Sequence, residues 1–491
     1  MKKEKKGDGV YNVVVIGAGT AGLVTAAGTA GLGGRVALIE RNLMGGDCLN
    51  FGCVPSKALI SSARLVQQIR ESEKWGLDTQ SPQFTFEKVF EGMRARRAKI
   101  APNDSQQRFE SLGVDVFRGE ARFVSPHEIE VNGQKLRAKN FVIATGSRAV
   151  IPKIDGIGKV PYFTNETIFD ELNEKPESMI VLGGGPIGCE LGQALSRLGV
   201  KITIVEYVPQ ILGPEDVDVG EFMQERFEAE EITVQHCTEA TRVWMNDSAI
   251  TLEGNYKPPG ATQGSPVQFT ADALLLAVGR CPMMKALNLE AAGVKYTQNG
   301  VEVNDYLQTS QRHIYAAGDI SNRLKFTHTA DFTARIVVRN ILMPFQFLRQ
   351  KVDWFVVPWC TYTDPEVAHV GLGEKEAWHK KTNYDLFVVP LAEVDRAVVE
   401  SEEAGFAKIL TAKGSDRILG ATIVAPHAGD LLHEFVLAMK AGIGLGTIAS
   451  TIHAYPTFAE LARKAGDKYN KTRLTPRAKK IFTWLYQRAR K

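Results

Sequence analysis

The sequence has few cysteines, little net charge and no long apolar run. Six cysteines among 491 residues are too few for a secreted domain held together by disulfides. The 59 basic residues nearly balance the 56 acidic ones, and the net charge of +3 argues against a nucleic-acid partner. No stretch can span a bilayer, and Gly17 interrupts the apolar run at 13–16, so we expect no membrane span and no signal peptide. These absences favour a cytoplasmic protein.

Two of the six cysteines, Cys48 and Cys53, lie close together in the segment 45–57 (Gly-Gly-Asp-Cys-Leu-Asn-Phe-Gly-Cys-Val-Pro-Ser-Lys). Pro55 suits the first turn of a helix, and apolar residues follow at helical spacing. We therefore predict that Cys53 lies at a helix N-terminus, where the helix dipole favours a thiolate. Redox chemistry is the preferred interpretation. Half a zinc site and two buried cysteines are the alternatives, and no second close cysteine pair completes a zinc site.

A glycine-rich turn follows the first apolar strand. The strand at 13–16, a helix and a second strand at 36–39 that ends in Glu40 form a βαβ unit. The glycines of the turn are Gly17, Gly19 and Gly22. Glycines at this spacing allow a tight turn, a bound pyrophosphate and close helix packing, and Glu40 can accept hydrogen bonds from a ribose. The unit predicts a dinucleotide site.

The same unit recurs further along the chain. It consists of a strand at 179–182, the glycines Gly183, Gly185 and Gly188, and a strand at 202–205 that ends in Glu206. Gly17 maps onto Gly183 and Glu40 onto Glu206, both at an offset of 166 residues. The repeat implies two Rossmann-type domains and two nucleotide cofactors.

The remaining segments suggest how the chain is divided. A helix-rich stretch at 56–111 precedes strand patterns at 114–143, and glycines and prolines at 254–266 indicate a turn-rich insertion. Residues 355–470 mix strands and helices without a nucleotide fingerprint. The tail, 471–491, carries eight basic residues and no acidic ones. This tail is expected to form either a solvated helix or a helix that lies on a membrane surface.

The motifs together resemble the class I pyridine nucleotide–disulfide oxidoreductases, which include dihydrolipoyl dehydrogenase, glutathione reductase and mercuric reductase. The resemblance covers about residues 10–470. Besides the two fingerprints, its motifs are the segment 45–57, Ala-Thr-Gly at 144–146, Ala-Gly-Asp at 317–319 and Thr-Asp-Pro-Glu at 363–366. The cysteine loop and the segment 359–366 are most similar to the mercuric-reductase-like branch.

The resemblance implies an α/β fold with two Rossmann-type dinucleotide-binding domains plus a C-terminal α+β dimerisation domain. The expected parts are an FAD-binding domain at 1–155 and 280–350, an NAD(P)-binding domain at 156–279, a dimerisation domain at 351–470 and a basic amphipathic tail at 471–491. Members of the family are homodimers, and each C-terminal domain completes the active site of its partner.

The family also implies the cofactor sites. For FAD, the matching residues are Gly17, Gly19, Gly22, Glu40, Gly46, Lys57, Thr145, Gly146 and Asp319. For NAD(P)H, they are Gly183, Gly185, Gly188, Glu206 and Gly279. Glu206 would bond a 2′-hydroxyl and repel a 2′-phosphate, so we expect NADH to be preferred over NADPH. No resident metal is expected.

In the family, hydride passes to the flavin, and the flavin reduces a disulfide that corresponds to Cys48–Cys53. Cys53 resembles the charge-transfer thiol that faces the flavin, and Cys48 resembles the interchange thiol that meets the acceptor. Lys57 and Glu190 resemble the ion pair beside the flavin.

The acceptor side departs from the family. Disulfide-reducing members carry His-Ala-His-Pro-Thr, and the second histidine is the acid/base that a downstream glutamate orients. Here the segment is His453-Ala-Tyr455-Pro-Thr, and Glu460 remains. A phenol with a pKa of about 10 is a poor proton shuttle at neutral pH, which argues against lipoamide or glutathione disulfide as acceptor. His453 could replace the base, or could be structural.

True mercuric reductases end in a vicinal cysteine pair, whereas the last cysteine here is Cys360. We therefore expect an FAD- and NAD(P)H-dependent oxidoreductase of the mercuric-reductase-like branch, acting on Hg²⁺ or another small acceptor. The alternatives are a dihydrolipoyl dehydrogenase, which Tyr455 argues against, and a membrane-associated reductase of quinones or a partner protein, which the tail suggests. A non-catalytic nucleotide-binding protein conflicts with the cysteine pair.

Overall fold

A computed structural model gives the structure of the protein, and it describes residues 9–321 and 324–490. The chain forms two compact units. The first comprises the described parts of Met1–Ala63, Gln83–Tyr207 and Cys237–Val352, and the second those of Arg64–Pro82, Val208–His236 and Asp353–Lys491.

The strands and helices are numbered in chain order. The strands are β1 (Val10–Ile16), β2 (Val36–Glu40), β3 (Val114–Arg118), β4 (Ala121–Ser125), β5 (Glu128–Val131), β6 (Gln134–Ile143), β7 (Ser147–Ala149), β8 (Ser178–Leu182), β9 (Lys201–Val205), β10 (Thr233–Gln235), β11 (Thr238–Asn246), β12 (Ala249–Tyr256), β13 (Ser265–Ala271), β14 (Ala273–Leu276), β15 (Arg280–Pro282), β16 (Tyr296–Thr297), β17 (Gly300–Val301), β18 (Ile314–Ala316), β19 (Trp359–Thr361), β20 (Glu366–Gly371), β21 (Tyr384–Pro390), β22 (Phe406–Ala412) and β23 (Ile418–Ala425). The α-helices are α1 (Thr20–Gly31), α2 (Gly46–Asn50), α3 (Cys53–Arg70), α4 (Phe86–Ile100), α5 (Gln106–Ser111), α6 (Ile168–Glu171), α7 (Pro186–Arg197), α8 (Val217–Ala229), α9 (Thr327–Leu342), α10 (Glu374–His379), α11 (Asp395–Val399), α12 (Ala428–Ala441), α13 (Leu445–Ser450), α14 (Glu460–Thr472) and α15 (Pro476–Arg488).

A seven-stranded sheet forms the centre of the first unit. Its order is β3-β2-β1-β6-β5-β4, with β18 also paired to β6, and the pairs around β1 are parallel. Alternate side chains of β1 enter different cores: Val13 and Val15 pack with residues of α1 and α9, and Val14 packs with the segment 287–301. Burial on both faces explains the unbroken apolar run at 13–16 within β1. The prediction of a buried parallel strand is confirmed.

The second fingerprint forms a similar core. Strand β8 lies between β9 and β14, parallel to both, and α7 follows it. The predicted insertion at 254–266 is narrower than expected. Strands β12 and β13 pair in antiparallel register from Ile250 opposite Ala271 to Tyr256 opposite Ser265, so only 257–264 form the connecting loop. The turn-forming residues misled the prediction because Gly254 and Pro266 lie inside this hairpin.

The second unit contains a five-stranded antiparallel sheet in the order β19-β20-β23-β22-β21. Strand β23 is buried along its whole length, and apolar residues of α12 and α14 such as Phe435 and Leu461 pack against this sheet in one core. The predicted α+β character of this part of the chain is confirmed.

Candidate active site

The turn after β1 is closed by contact between two glycines. A Cβ atom on Gly22 would lie 1.7 Å from the carbonyl oxygen of Gly17, so α1 can begin against the strand only without a side chain there. The backbone N–H of Ala18 donates a hydrogen bond of 2.7 Å to the Glu40 carboxylate at the end of β2. This bond holds the acidic end of β2 against the start of the turn.

The second fingerprint repeats both contacts. A Cβ on Gly188 would lie 1.9 Å from the carbonyl oxygen of Gly183, and the N–H of Gly184 donates to the Glu206 carboxylate at 2.5 Å. Nothing lies within 4 Å of a Cβ placed on Gly185, which leaves the outer side of the turn open. The sequence repeat is therefore also a repeat of local geometry.

A cleft opens beside the first turn. Its lining brings together several predicted FAD residues, namely Gly17, Gly19, Glu40, Gly46, Thr145 and Gly146. A glycine turn, a helix N-terminus and a carboxylate at the adjacent strand end are what a dinucleotide requires, so the residues present fit FAD. Gly279, predicted for the nicotinamide nucleotide, has a φ of +114°, and its carbonyl accepts the N–H of Val150.

Asp319 is held by a polar chain. The Ser147 hydroxyl donates to Asp319 at 2.6 Å, and Arg280 donates to Ser147 at 2.9 Å and forms an ion pair of 2.8 Å with Asp47. Burial raises the pKa of the Asp319 carboxyl. The sequence analysis missed Ser147, Arg280 and Asp47 because they are distant in the sequence and no motif joins them.

The loop that carries the cysteines touches the dinucleotide turn. Gly45 and Gly46 both have positive φ, and a Cβ on Gly46 would lie 2.5 Å from the Cα of Gly19. The Asn50 side chain donates to the carbonyls of Met44 and Gly46, which fixes the loop internally. The thiol loop is thus held directly against the Gly19 turn.

The two cysteine side chains shift each other's pKa in opposite directions. Helix α3 begins at Cys53, as predicted, and the structure holds Cys48 and Cys53 as thiols, the first half-buried and the second exposed. The hydrogen bond from Cys48, together with the positive charge of Lys57, lowers the pKa of Cys53 to about 6. The same bond and burial raise the pKa of Cys48. At neutral pH the pair therefore holds one thiolate, on Cys53.

Two further contacts surround this pair. The Lys57 ammonium lies 2.7 Å from the buried Glu190 carboxylate, so the structure brings together the predicted ion pair. The hydroxyl of Thr327, the first residue of α9, lies 3.3 Å from the Cys53 sulfur. Sequence analysis missed Thr327. Its position shortly after the Ala-Gly-Asp motif was the available signal.

The acceptor-side residues lie in the second unit and have separate partners. The Tyr455 hydroxyl donates to Asp395 at 3.0 Å, and this bond raises the pKa of the phenol. His453 contacts Glu434 at 3.0 Å and the carbonyl of Thr451. His453 and Tyr455 lie in an irregular segment, so no strand face brings the two side chains together.

The Glu460 carboxylate contributes to the raised pKa of Tyr455 through its charge. One carboxylate oxygen of Glu460 forms an ion pair of 2.8 Å with Arg463, and the other finds no hydrogen-bond partner among the described residues. Asp395, rather than Glu460, is the main cause of the raised Tyr455 pKa.

Within residues 9–321 and 324–490, no group of three or more His, Cys, Asp or Glu side chains could hold a metal ion. No helix in the described part of the chain is long and apolar enough to cross a membrane.

Comparison with known proteins identifies the family. Residues 11–334 match the pyridine nucleotide-disulphide oxidoreductase domain, and residues 357–465 match the dimerisation domain of the same proteins. The chain belongs to the pyridine nucleotide-disulphide oxidoreductase family. It is therefore a flavoprotein oxidoreductase that depends on FAD and uses a pyridine nucleotide, and its dimerisation domain indicates that it forms a homodimer.

Individual relatives differ in their acceptors. The chain is 32% identical to a mercuric reductase from Staphylococcus aureus, over 94% of this chain and 83% of the relative. It is 33% identical to a dihydrolipoyl dehydrogenase from Bacillus subtilis (strain 168), over 93% of this chain and 97% of the relative. Among solved structures, the Cu(II) complex of the HOCl-induced flavoprotein disulfide reductase RclA from Escherichia coli matches with a TM-score of 0.82 and 25% identity, over 93% of this chain and 99% of that one.

Proposed function

We propose that the protein is an NADH-preferring reductase that sends electrons through the Cys48–Cys53 pair to a small thiophilic acceptor such as Hg²⁺. The observation that carries this proposal is Tyr455, a phenol whose pKa Asp395 raises, at the position where disulfide-reducing members of the family carry a histidine. The low pKa of Cys53 also supports this proposal, because it favours a thiolate in the cysteine pair that donates electrons to the acceptor.

The chain's own residues would hold FAD at the first fingerprint. Glu40, which lines the cleft, would bond the ribose, and Asp319 would bond the ribityl chain. The Lys57–Glu190 ion pair of 2.7 Å would lie beside the flavin. When bound, FAD supplies a carrier of two electrons between a nicotinamide and the thiols. In this proposal, residues 1–155 and 280–350 form the FAD-binding domain, and residues 156–279 form the NAD(P)-binding domain. The dimerisation domain is 351–470, and the tail is 471–491.

The two cysteines have different roles in this proposal. Cys53 holds the thiolate, and its helix N-terminus, the Lys57 charge and the Thr327 hydroxyl favour that charged form. Cys48 keeps its proton in the pair and exchanges with the acceptor. The strong mutual effect of Cys48 and Cys53 on their pKa values supports a pair that can form a disulfide on oxidation.

Proton supply favours a metal acceptor. An organic disulfide leaves a thiolate that must be protonated as it departs, whereas a soft metal ion binds thiolates directly and needs no such proton. The mercuric reductase relatives and the copper complex of a structural neighbour are consistent with a thiophilic metal substrate.

NADH preference rests on Glu206. Its carboxylate already accepts the Gly184 N–H, which fixes it at the end of β9 beside the open turn. A fixed carboxylate there accepts a 2′-hydroxyl and repels a 2′-phosphate.

Dihydrolipoyl dehydrogenase is the second candidate, and one contact favours it. His453 forms a contact of 3.0 Å with Glu434, which could orient the imidazole ring. In that case His453, rather than Tyr455, would protonate the leaving thiolate.

A peripheral membrane contact through the basic tail is also part of the proposal. The exposed apolar side chains of α15 support this contact.

An acceptor panel tests the proposal. NADH oxidation by the purified enzyme is measured with Hg²⁺, lipoamide, glutathione disulfide and a quinone. We expect turnover with Hg²⁺, weak turnover with both disulfides, and loss of Hg²⁺ turnover in Cys48→Ser. Robust lipoamide reduction that His453→Gln abolishes would instead establish the dihydrolipoyl dehydrogenase reading.

A further inference from the structure

Helix α15 has one apolar and one cationic face. At about 3.6 residues per turn, Ile481, Phe482 and Leu485 fall in one sector, and Lys479 and Lys480 project from the other side. The helix is well formed at its start, because the Thr475 side chain accepts the N–H of Ala478 and Pro476 occupies the first turn. The two faces are therefore fixed by a stable helix.

The apolar face of α15 is uncovered. None of its side chains is buried in the described structure, and the exposed fractions of its large apolar residues are 58% for Ile481, 50% for Phe482, 55% for Trp484, 47% for Leu485 and 69% for Tyr486. The preceding helix α14 differs, because its Leu461 and Ala465 are buried in the core of the second unit. A contiguous exposed patch of this kind marks a contact site.

The positive charge of the tail favours an anionic partner. Residues 471–491 carry eight basic residues and no acidic ones. Near the apolar sector, the Arg488 guanidinium lies 5.6 Å from the centre of the Trp484 ring, so a cation and an aromatic ring share one edge of the helix. Aromatic rings, aliphatic side chains and cations in this arrangement suit the boundary between acyl chains and anionic headgroups.

We infer that α15 docks on the surface of a bilayer that contains anionic phospholipid, with the helix parallel to the surface and its apolar face inserted below the headgroups. The inference rests on the proposed peripheral contact and names its partner. A second copy of the helix fits less well, because self-pairing would bring two cationic segments together. A nucleic acid would use the cations and leave the apolar face uncovered.

Two forces act together in this mode. The cations attract the helix to negative headgroups, and the buried apolar side chains hold it there. Each Lys or Arg near an anionic surface strengthens binding by about fivefold, so neutralising both Lys479 and Lys480 should weaken binding by roughly 25-fold. Raised salt should weaken it as well.

Vesicle co-sedimentation of the full-length enzyme tests the inference. The vesicles are phosphatidylcholine alone, or phosphatidylcholine mixed with phosphatidylglycerol. We expect binding only to the mixed vesicles and loss of binding in Phe482→Glu/Leu485→Glu. Binding should fall by roughly 25-fold in Lys479→Gln/Lys480→Gln and should not change in the matched control Gln487→Ala. The fluorescence of Trp484, obtained by difference from Trp484→Phe, should shift to shorter wavelength when mixed vesicles are added.

Each other outcome overturns the inference. Equal binding by Phe482→Glu/Leu485→Glu and by the parent enzyme would show that the apolar face is not inserted. Dissociation of the dimer by the same substitutions, measured by analytical ultracentrifugation, would assign the face to a subunit contact. NADH turnover, which the tail variants should retain, separates the two proposals: normal turnover without vesicle binding removes only the docking inference, and vesicle binding without turnover removes only the reductase proposal.

Discussion

At the scale of single residues, the thiol pair is organised by unequal surroundings. Cys53 lies at the first position of α3, near Lys57 and 3.3 Å from the Thr327 hydroxyl, and all three features favour its thiolate. Cys48 is flanked by the carboxylate of Asp47 and is half-buried, which favours its thiol. Two identical side chains therefore titrate far apart.

The first prediction concerns the Cys53 thiolate. A thiolate beside oxidised flavin gives a long-wavelength absorption band. We expect this band in Cys48→Ser while its flavin is oxidised, because Cys53 then has no disulfide partner, and we expect its loss in Cys53→Ser. Because the pKa of Cys53 is lowered, the band of the parent enzyme should persist at neutral pH and fade as the pH drops through about 6. Absorption spectra recorded during an acid titration measure it. If Cys53→Ser keeps the band and Cys48→Ser loses it, the two roles are reversed.

The second prediction concerns proton supply. Tyr455→His should raise the rate of disulfide reduction, because an imidazole titrates near neutral pH and a general acid typically contributes about 10²–10⁴ in rate. Glu460 has one carboxylate oxygen without a hydrogen-bond partner in the described structure, which can accept the new ring N–H. The measurement is kcat with lipoamide, and Tyr455→Phe serves as control. Equal rates in the His and Phe variants would argue against a missing acid.

At the scale of secondary structure, the start of each fingerprint helix depends on contact without a side chain. Gly22 touches Gly17, and Gly188 touches Gly183, because the helix must begin immediately after the strand. The turn also sets where the helix N-terminus points, and that end is the part of α1 suited to a pyrophosphate. Local packing and cofactor binding are thus linked in one turn.

The third prediction follows for α1. In Gly22→Ala the new Cβ would overlap the Gly17 carbonyl oxygen, so we expect a loss of about 3 kcal/mol or more in stability and reduced FAD content after purification. Gly31→Ala, in the last turn of the same helix, is the matched control, because nothing lies within 4 Å of its Cβ. It should change stability by at most about 1 kcal/mol. Thermal unfolding and the ratio of flavin to protein absorbance measure both effects.

The sequence predicts local features within single elements, but it does not predict contacts between distant elements. The strand, turn, helix and acid of each fingerprint are local, so periodicity and glycine spacing were sufficient for them, as they were for α3 at Cys53. The contact of Thr327 with Cys53 joins residues 274 apart in the chain, and that of Arg280 with Ser147 joins residues 133 apart. Such contacts depend on how the elements pack, which a single sequence does not reveal. The predicted loop at 254–266 was too long because of a misleading local signal. Its turn-forming residues indicated an irregular segment, although some of them lie inside a paired hairpin.

At the scale of the whole molecule, the two similar nucleotide-binding fingerprints bind different cofactors in the proposed function. The first is joined to the thiol loop through the contact between Gly46 and Gly19. The second has an open position at Gly185 and a fixed acid, Glu206, in the same local geometry. Separate substitutions of the two acids should therefore have separate effects.

The fourth prediction uses this separation. Glu206→Ala should keep its flavin but lose NADH preference by about 10-fold or more, since a hydrogen bond to a charged group is worth about 1.5–3 kcal/mol. Glu40→Ala should instead lose flavin. The ratio of kcat/KM for NADH to that for NADPH measures the first effect, and flavin content measures the second. A parent enzyme that prefers NADPH would contradict the assignment of Glu206.

The matched hydrogen bonds from Ala18 to Glu40 and from Gly184 to Glu206 also concern ancestry and engineering. Segments 13–40 and 179–206 have equal length, and each closes the same bond between its second turn residue and its last acid. Duplication of one ancestral segment would leave such a correspondence behind. Because the two segments are equally long, exchanging one for the other would not alter the length of the chain or the spacing of the segment's ends.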